Sequence, residues 1–263
     1  MKRIVSFIIA LTLCITLGGC EKEPKKSEAV LNVENCITDA ESTSIDKGTA
    51  LATAEELYSQ LTPEEKEQVE NYDVLIEAKE EYLKERCQAA NEQIAAAASL
   101  TIDGVYDLYA AWYFGVNEAA QSFSDEELFY EDFSYAVYKR GKHAFTPEKL
   151  KAAAETYGYT YSQVRKDWSK CVDVIIMATT IKGTFEEIGD ELEQADEIIS
   201  EMTKLNADSQ YTKVIKEYYM AVLNYVSTYV NPSGSLLDLV DTIKSSEKKI
   251  EECANNVNMA LKW

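Results

Sequence analysis

Apolar residues recur every three or four positions through residues 185–261, and this spacing constrains the fold more than any other feature of the sequence. Such a repeat places the apolar side chains on one stripe of an α-helix, and a narrow stripe suits packing in a helical bundle. The three runs are Phe185, Ile188, Leu192, Ala195, Ile199 and Met202; Tyr211, Ile215, Tyr218, Val222, Tyr225 and Tyr229; and Leu236, Val240, Ile243, Glu247, Ile250, Ala254, Val257 and Leu261. The sequence therefore predicts an all-α protein that ends in an antiparallel helical bundle.

Turn-forming residues separate these runs. Polar and glycine-containing segments at 206–209 and 231–235 predict the two turns between the last three helices. Gly183, followed by Thr184 and Glu187, predicts a helix stop and a new capping box, so we expect the chain to fold back there.

The region from Val30 to about Ala98 also has helical spacing, and its clearest helix start lies near its middle. Thr62 can cap a helix with its hydroxyl, Pro63 suits the first helical position, and Glu65 completes a capping box. We therefore expect a helix to begin at Pro63. Asn71 tolerates a left-handed turn and is expected to end that helix.

Ten residues of this region resemble the small helical modules called FIVAR-type, which occur in many Gram-positive surface proteins. The resemblance covers residues 30–90 and is carried by Tyr58, Leu61, Thr62, Glu65, Lys66, Val69, Asn71, Tyr72, Leu75 and Ala78. It implies a spacer or a carbohydrate-associated accessory module without catalytic residues. Cys36 and Cys87 depart from the family pattern. The C-terminal bundle in turn resembles bacterial lipoproteins, a likeness that implies no activity.

The first twenty residues have the pattern of a secretory signal peptide. Lys2 and Arg3 precede an apolar run, and the run ends at Leu17-Gly18-Gly19-Cys20. This segment resembles the bacterial lipobox, which implies that Cys20 is acylated and becomes the first residue after cleavage. We expect a lipid-anchored protein on the extracytoplasmic face of the cell membrane. An uncleaved anchor, a buried core helix and cleavage without lipidation are the alternatives.

The formal net charge of −20 excludes one class of partner. Such a negative surface repels phosphate backbones and anionic lipid headgroups, so we expect no nucleic-acid binding. Attachment to the membrane then depends on the lipid at Cys20.

Composition divides the chain into four parts: a signal peptide at 1–19, a charged tether at 20–29, a FIVAR-like helical module at 30–98 and a helical bundle domain at 99–263. The alanine-rich segment from Ile94 to Ser99, together with Gly104, is expected to form the joint between the last two.

Four cysteines follow Cys20, and an extracytoplasmic location permits disulfides between them. We favour the pairs Cys36–Cys87 and Cys171–Cys253, because each would close within one expected domain. Four free, buried thiols are the alternative.

The sequence contains few residues suited to catalysis or metal binding. His143 is the single histidine, and neither a Glu-x-x-His pair nor a Cys-x-x-Cys pair is present. We therefore expect no metal site, no cofactor and no enzymatic activity.

Two local features suggest binding instead. Aromatic residues concentrate between Val105 and Trp168. The candidates for a groove that binds a glycan or a peptide are Trp112, Tyr113, Tyr135 and Tyr138. Core packing is the commoner role of such residues and is the alternative. Lys139, Arg140 and Lys142 form a basic segment that could dock an anionic cell-wall polymer or an acidic surface protein. Its alternative is an exposed helix end.

These features together predict a non-enzymatic helical spacer or interaction protein at the cell surface. The alternative is a solute-binding lipoprotein with a pocket in its C-terminal bundle. A pocket with converging polar groups would favour the second interpretation over the first.

Overall fold

The computed structural model describes residues 26–43, 46–119 and 125–262, and within these ranges the chain is all-α without a strand. The helices are α1 (Glu28–Ser42), α2 (Lys47–Ser59), α3 (Pro63–Lys66), α4 (Tyr72–Asn117), α5 (Glu126–Arg140), α6 (Pro147–Thr156), α7 (Tyr161–Lys166), α8 (Trp168–Lys182), α9 (Thr184–Asn206), α10 (Gln210–Val230) and α11 (Leu236–Lys262). The predicted fold class is confirmed. The signal peptide and Cys20 lie outside the described residues.

The chain divides into two compact units, Met1–Ala78 and Lys79–Trp263. This division falls earlier than the expected joint near Ala98. The segment from Ile94 to Gly104 lies inside α4 and so does not form a joint. Alanine is the strongest helix former, and the alanine run therefore continues the helix instead of interrupting it.

The first unit is built from α1 to α3 and the start of α4. Its core contains Val30, Val33, Ile37, Ala40, Leu51, Ala54, Leu61, Val69, Leu75 and Ala78. The capping box of Thr62 and Glu65 is present, and Pro63 is the first residue of α3, as predicted. Ser27 caps α1 and also donates a hydrogen bond to Glu65. Helical structure thus begins at Glu28, inside the segment expected to be a tether.

Asn71 does not have the role that the sequence suggested. The helix that starts at Pro63 already ends at Lys66, and Asn71 is not left-handed. Its side-chain amide instead donates a hydrogen bond of 2.9 Å to the backbone carbonyl of Glu34 in α1. The Glu34 carboxylate in turn accepts from the backbone N–H of Glu70 and pairs with Lys26. Asn71 therefore joins the start of α4 to α1.

The second unit contains two groups of buried residues. The first cluster joins residues 83–112 of α4 and Val172 of α8 with α9, α10 and α11, and the second cluster joins the end of α4 with α5, α6, α7 and other residues of α8. The three predicted stripes of α9 to α11 are buried in the first cluster. In α11, however, Leu239, Cys253 and Ala260 are buried in place of Val240, Ala254 and Leu261, so the stripe is centred one position earlier.

Gly104 marks a close approach inside the first cluster. A Cβ atom at this position would overlap the ring of Tyr229, which is completely buried. The Tyr229 hydroxyl donates a hydrogen bond of 3.0 Å to Thr179 in α8. Gly104 is thus required because an aromatic ring packs directly on the backbone of α4.

The predicted break at Gly183 is confirmed. Gly183 has a φ of 86°, in the left-handed region that favours glycine, and it lies between α8 and α9. The capping box predicted for Thr184 is wrong, because Thr184 is already helical and buried and Gly183 occupies the cap position.

All four cysteines within the described residues are free, so the two predicted disulfides are wrong and the alternative is confirmed in part. Cys36 belongs to the first unit and Cys87 to the second. Cys171 and Cys253 lie in different buried clusters, where each packs among its own helical neighbours. Burial raises the pKa of Cys87 to about 12. Cys36 is half-buried, not buried.

None of the helices in the described ranges combines the length and the apolar character that crossing a membrane requires.

Candidate functional site

The aromatic residues expected to line a ligand groove do not share one surface. These residues were Trp112, Tyr113, Tyr135 and Tyr138. Trp112 is only 2 % exposed and stacks on Trp168 with 4.7 Å between ring centroids. Tyr135 and Tyr138 instead project from α5 and are 60 % and 68 % exposed. Trp112 is therefore a core residue, and the expectation that it contacts a ligand is wrong.

The basic segment at the end of α5 makes contacts with its own chain. Arg140 forms a salt bridge of 2.7 Å with Glu118, and its guanidinium lies over the ring of Tyr113. Lys142 lies over the ring of Tyr106, and Lys139 over that of Tyr135. Lys139 and Arg140 also complement the dipole at the C-terminus of α5. These contacts favour the alternative interpretation of the segment, in which the basic residues belong to a helix end and stabilise it.

Asp107 lies beneath this segment and holds the loop that follows α5. Its carboxylate is completely buried and accepts backbone N–H bonds from Lys142 at 2.6 Å and His143 at 2.9 Å. The His143 ring contacts the same carboxylate, with 2.5 Å between Nδ1 and Oδ2. One buried acid therefore fixes both the backbone and the ring of His143.

Two consequences follow from the position of Asp107. Burial raises the pKa of its carboxyl above the usual value near 3.8, although the hydrogen bonds from His143 and Lys142 lower it in part. Gly141 is required at the start of the loop, because a Cβ atom there would overlap the Asp107 carboxylate. Glycine at this position thus permits close contact between the loop and Asp107.

His143 borders an open groove in the second unit. The groove has a volume of about 360 Å³ and lies between the loop after α5 and the helices α6 and α8. Its lining residues are His143, Ala144, Phe145, Lys149, Ala152, Ala178, Ile181 and Lys182. Because Asp107 engages Nδ1, Nε2 is the ring nitrogen of His143 available to a bound group. The groove thus combines an apolar lining with one oriented imidazole.

The charge of this groove is opposite to that of the whole chain. Two lysines and the histidine line it, and no acidic residue is among the lining residues in the part of the chain that the structure describes. The chain has 46 acidic and 26 basic residues, so such a lining is unusual for its composition. The ion pairs formed nearby use other lysines, Lys151 with Glu126 and Lys170 with Asp167.

A second opening of similar volume, about 370 Å³, has a different character. It is lined by Asp125, Glu126, Glu127, Tyr130, Pro147, Glu148 and Lys151, at the beginnings of α5 and α6. Acidic side chains at helix N-termini complement the helix dipole, so these carboxylates are explained by helix stability. Within the described ranges, no group of His, Cys, Asp and Glu side chains could hold a metal ion.

The sequence singled out His143 but missed both Asp107 and the groove. Asp107 is the one acidic residue in the otherwise apolar and aromatic stretch from Val105 to Trp112, and that isolation was the available signal. The groove residues lie in three separate segments without a common motif, so no local pattern could indicate them.

No protein-family model matches the chain, and neither a curated protein nor a solved structure matches it. The resemblances of the chain to lipoproteins and to FIVAR-type modules stay predictions.

Proposed function

We propose that this chain is a lipid-anchored, extracytoplasmic binding protein that holds a small solute in the groove beside His143. The groove itself is the observation that supports this function. Its volume of about 360 Å³ lies within the range of small-molecule sites, and its lining is mainly apolar with a few polar groups. This choice reverses the order suggested by the sequence, because a pocket with converging polar groups favours solute binding over a spacer.

The two parts of the proposal have different roles. The lipid at Cys20 would keep the protein at the outer face of the membrane, which the acidic surface alone does not favour. Binding without catalysis is supported by the groove lining, in which His143 is accompanied by alanine, phenylalanine, isoleucine and lysine side chains. Apolar contact would supply the affinity, and the polar groups would orient the solute.

Solute binding is tested by thermal unfolding of residues 20–263 carrying Cys20→Ser, with a panel of glycans, short peptides and amphiphiles. A bound solute stabilises the folded state, by about 2.7 kcal/mol at a hundredfold excess over its Kd. The matched control is Ala152→Phe, which places a ring in the groove from an exposed position of α6. A solute of the groove must stabilise the parent and not this variant. Equal stabilisation of both proteins by every active compound contradicts the proposal.

Membrane attachment is tested separately by fractionating cells that express the full chain or its Cys20→Ala variant. We expect labelled palmitate to enter the parent chain, and we expect the variant to leave the membrane fraction or to keep its signal segment. A Cys20→Ala chain that loses its signal segment and still stays on the membrane at full yield would refute lipid anchoring.

The spacer or interaction function is the second candidate, and the packing of α9 to α11 favours it. Their apolar stripes are buried in the first cluster, as expected for a helical element whose role is mechanical or positional. A cell-wall polymer or a surface protein would then be the partner. Crosslinking on intact cells tests this function, which requires a partner captured by the parent and by Ala152→Phe alike.

A further inference from the structure

The lysines that line the groove have positions that make them suitable for binding a negative group. Lys149 lies in the first turn of α6 and Lys182 at the last position of α8, and both are exposed. Lys182 complements the dipole at the end of α8, but Lys149 lies where a helix favours negative charge. Helix stability therefore does not explain Lys149, and a bound anion would compensate for it.

The apolar part of the groove is only partly covered by the protein. Phe145 is 4 % exposed and forms a fixed wall, whereas Ile181 is 60 % exposed. Ala152 and Ala178 are small and leave space between α6 and α8. An apolar group placed here would bury the exposed surface of Ile181, which favours binding through the hydrophobic effect.

His143 adds a third polar group to the same opening. Asp107 contacts Nδ1 and the backbone of the loop, so the ring is held in place before any ligand binds. Groups fixed in advance contribute more to affinity than groups that must be ordered on binding. The groove therefore has one fixed polar group and two flexible cations around an apolar centre.

We propose that the solute of this groove is a small amphipathic anion, with one carboxylate or sulfonate and a compact apolar body. This inference rests on the proposed solute-binding function and adds the chemical class of the ligand. The charge of the lining favours an anion over a neutral or cationic solute. A glycan fits less well, because among the described lining residues Phe145 is the one phenylalanine, tyrosine or tryptophan, and it is 4 % exposed.

Two fluorescent probes of nearly the same shape test the ligand class. Anilinonaphthalene sulfonate is an amphipathic anion, and N-phenylnaphthylamine has the same ring system without the sulfonate. Both are titrated into residues 20–263 carrying Cys20→Ser. We expect saturable binding of one sulfonate probe per chain, at least tenfold tighter than binding of the uncharged probe.

Three variants locate the binding. Lys149→Gln with Lys182→Gln is expected to weaken the sulfonate about tenfold and to change the uncharged probe less than twofold. The matched control is Lys204→Gln with Lys244→Gln, which removes the same charge from exposed positions of α9 and α11 and should leave both affinities unchanged. Ala152→Phe should abolish binding of both probes. Circular dichroism and thermal unfolding confirm that every variant is folded.

The outcomes separate this inference from the proposed function. If both probes bind equally and only Ala152→Phe matters, the groove binds solutes but the anion inference is overturned. If the control lysine pair weakens the sulfonate as much as the groove pair, the effect is one of net charge and the inference is again overturned. If neither probe binds in a way that Ala152→Phe abolishes, and no solute of the thermal panel does, both proposals fail.

Discussion

The two clusters of the second unit differ in how their helices pack. The first cluster packs α4 against α9, α10 and α11, and these last three helices, of 23, 21 and 27 residues, have stripes that repeat over many turns. The second cluster uses the end of α4 with α5 to α8, of 15, 10, 6 and 15 residues. Side chains of long helices can interdigitate over many turns, whereas short helices offer few turns for such packing.

The difference in helix length between the two clusters indicates where a binding site can arise in such a fold. The groove and the Asp107–His143 contact both lie with the short helices, at a loop held against α4. Functional residues in proteins often occupy loops positioned by a rigid scaffold. The regular first cluster would then supply stability, and the irregular second cluster would supply the site.

The largest expected effect compares removal of a ring in each cluster. Tyr229→Ala should lower the free energy of unfolding by about 3–5 kcal/mol, because it leaves an enclosed void. Phe145→Ala should cost only about 2 kcal/mol, because the space joins an existing groove and mainly the burial of the ring is lost. Urea unfolding measures both values. A larger loss of unfolding free energy for Phe145→Ala than for Tyr229→Ala would contradict the proposed difference in packing between the two clusters.

The next effect compares addition of atoms. Gly104→Ala should destabilise by about 1–3 kcal/mol, because its Cβ would collide with the Tyr229 ring. Ala152→Phe adds a whole ring at an exposed position beside the second cluster and should change stability by less than about 0.5 kcal/mol, since the groove has room for it.

The control for Gly104→Ala is Gly189→Ala, at a position in α9 where an added Cβ would meet nothing within 4 Å. That variant should be more stable than the parent by about 0.5–1 kcal/mol, because alanine favours the helix. If Gly104→Ala gains stability in the same way, the close packing inferred for the first cluster is wrong.

The difference between long, repeating helices and short ones also explains which features the sequence could predict. Apolar spacing and turn residues together predicted where α9, α10 and α11 lie. Each stripe repeats many times, and the segments between the helices contain proline, glycine or asparagine. The start at Pro63 and the break at Gly183 also followed, since each depends on a few adjacent residues. Helix starts and breaks set by a few adjacent residues, and long apolar repeats, can therefore be predicted from the sequence.

Features that depend on distant contacts were not predictable. Asn71 resembled a helix end, yet its partner is the carbonyl of Glu34. Gly104 resembled a joint, yet its cause is the ring of Tyr229. The cysteine pairs were chosen by position in the sequence, yet Cys171 and Cys253 are buried in separate clusters. The groove needs three segments to meet, which no single segment encodes.

A smaller effect concerns two buried hydroxyls of the first cluster. Within the described residues, the Tyr225 hydroxyl has no hydrogen-bond partner, whereas that of Tyr229 donates to Thr179. Tyr225→Phe should therefore be neutral or slightly stabilising, and Tyr229→Phe should cost about 1 kcal/mol. Thermal unfolding of the two variants measures the difference. Equal losses would contradict this assignment of the hydrogen bond.

The smallest effect concerns a hydroxyl beside the second cluster. Tyr159 donates a hydrogen bond of 2.7 Å to Asp173, and this bond raises its pKa to about 12 from an ordinary value of 10.0. Asp173→Asn should return the pKa toward 10, because an amide neither repels the phenolate nor favours the neutral phenol as strongly. Alkaline titration by ultraviolet absorbance follows the change, and Tyr159→Phe identifies the step that belongs to this residue.

The sign of the linked effect on stability follows from the same bond. A phenol whose pKa is raised by folding favours the folded state at pH values below 10, and this contribution is lost between pH 10 and about 12. The parent should therefore lose stability relative to Asp173→Asn across that window and not below it. A difference between the two proteins that stays constant from pH 8 to pH 12 would place the Asp173 contact outside the folded state. The Tyr159 hydroxyl at the edge of the second cluster would then lack its carboxylate partner, just as the buried Tyr225 hydroxyl lacks a partner among the described residues.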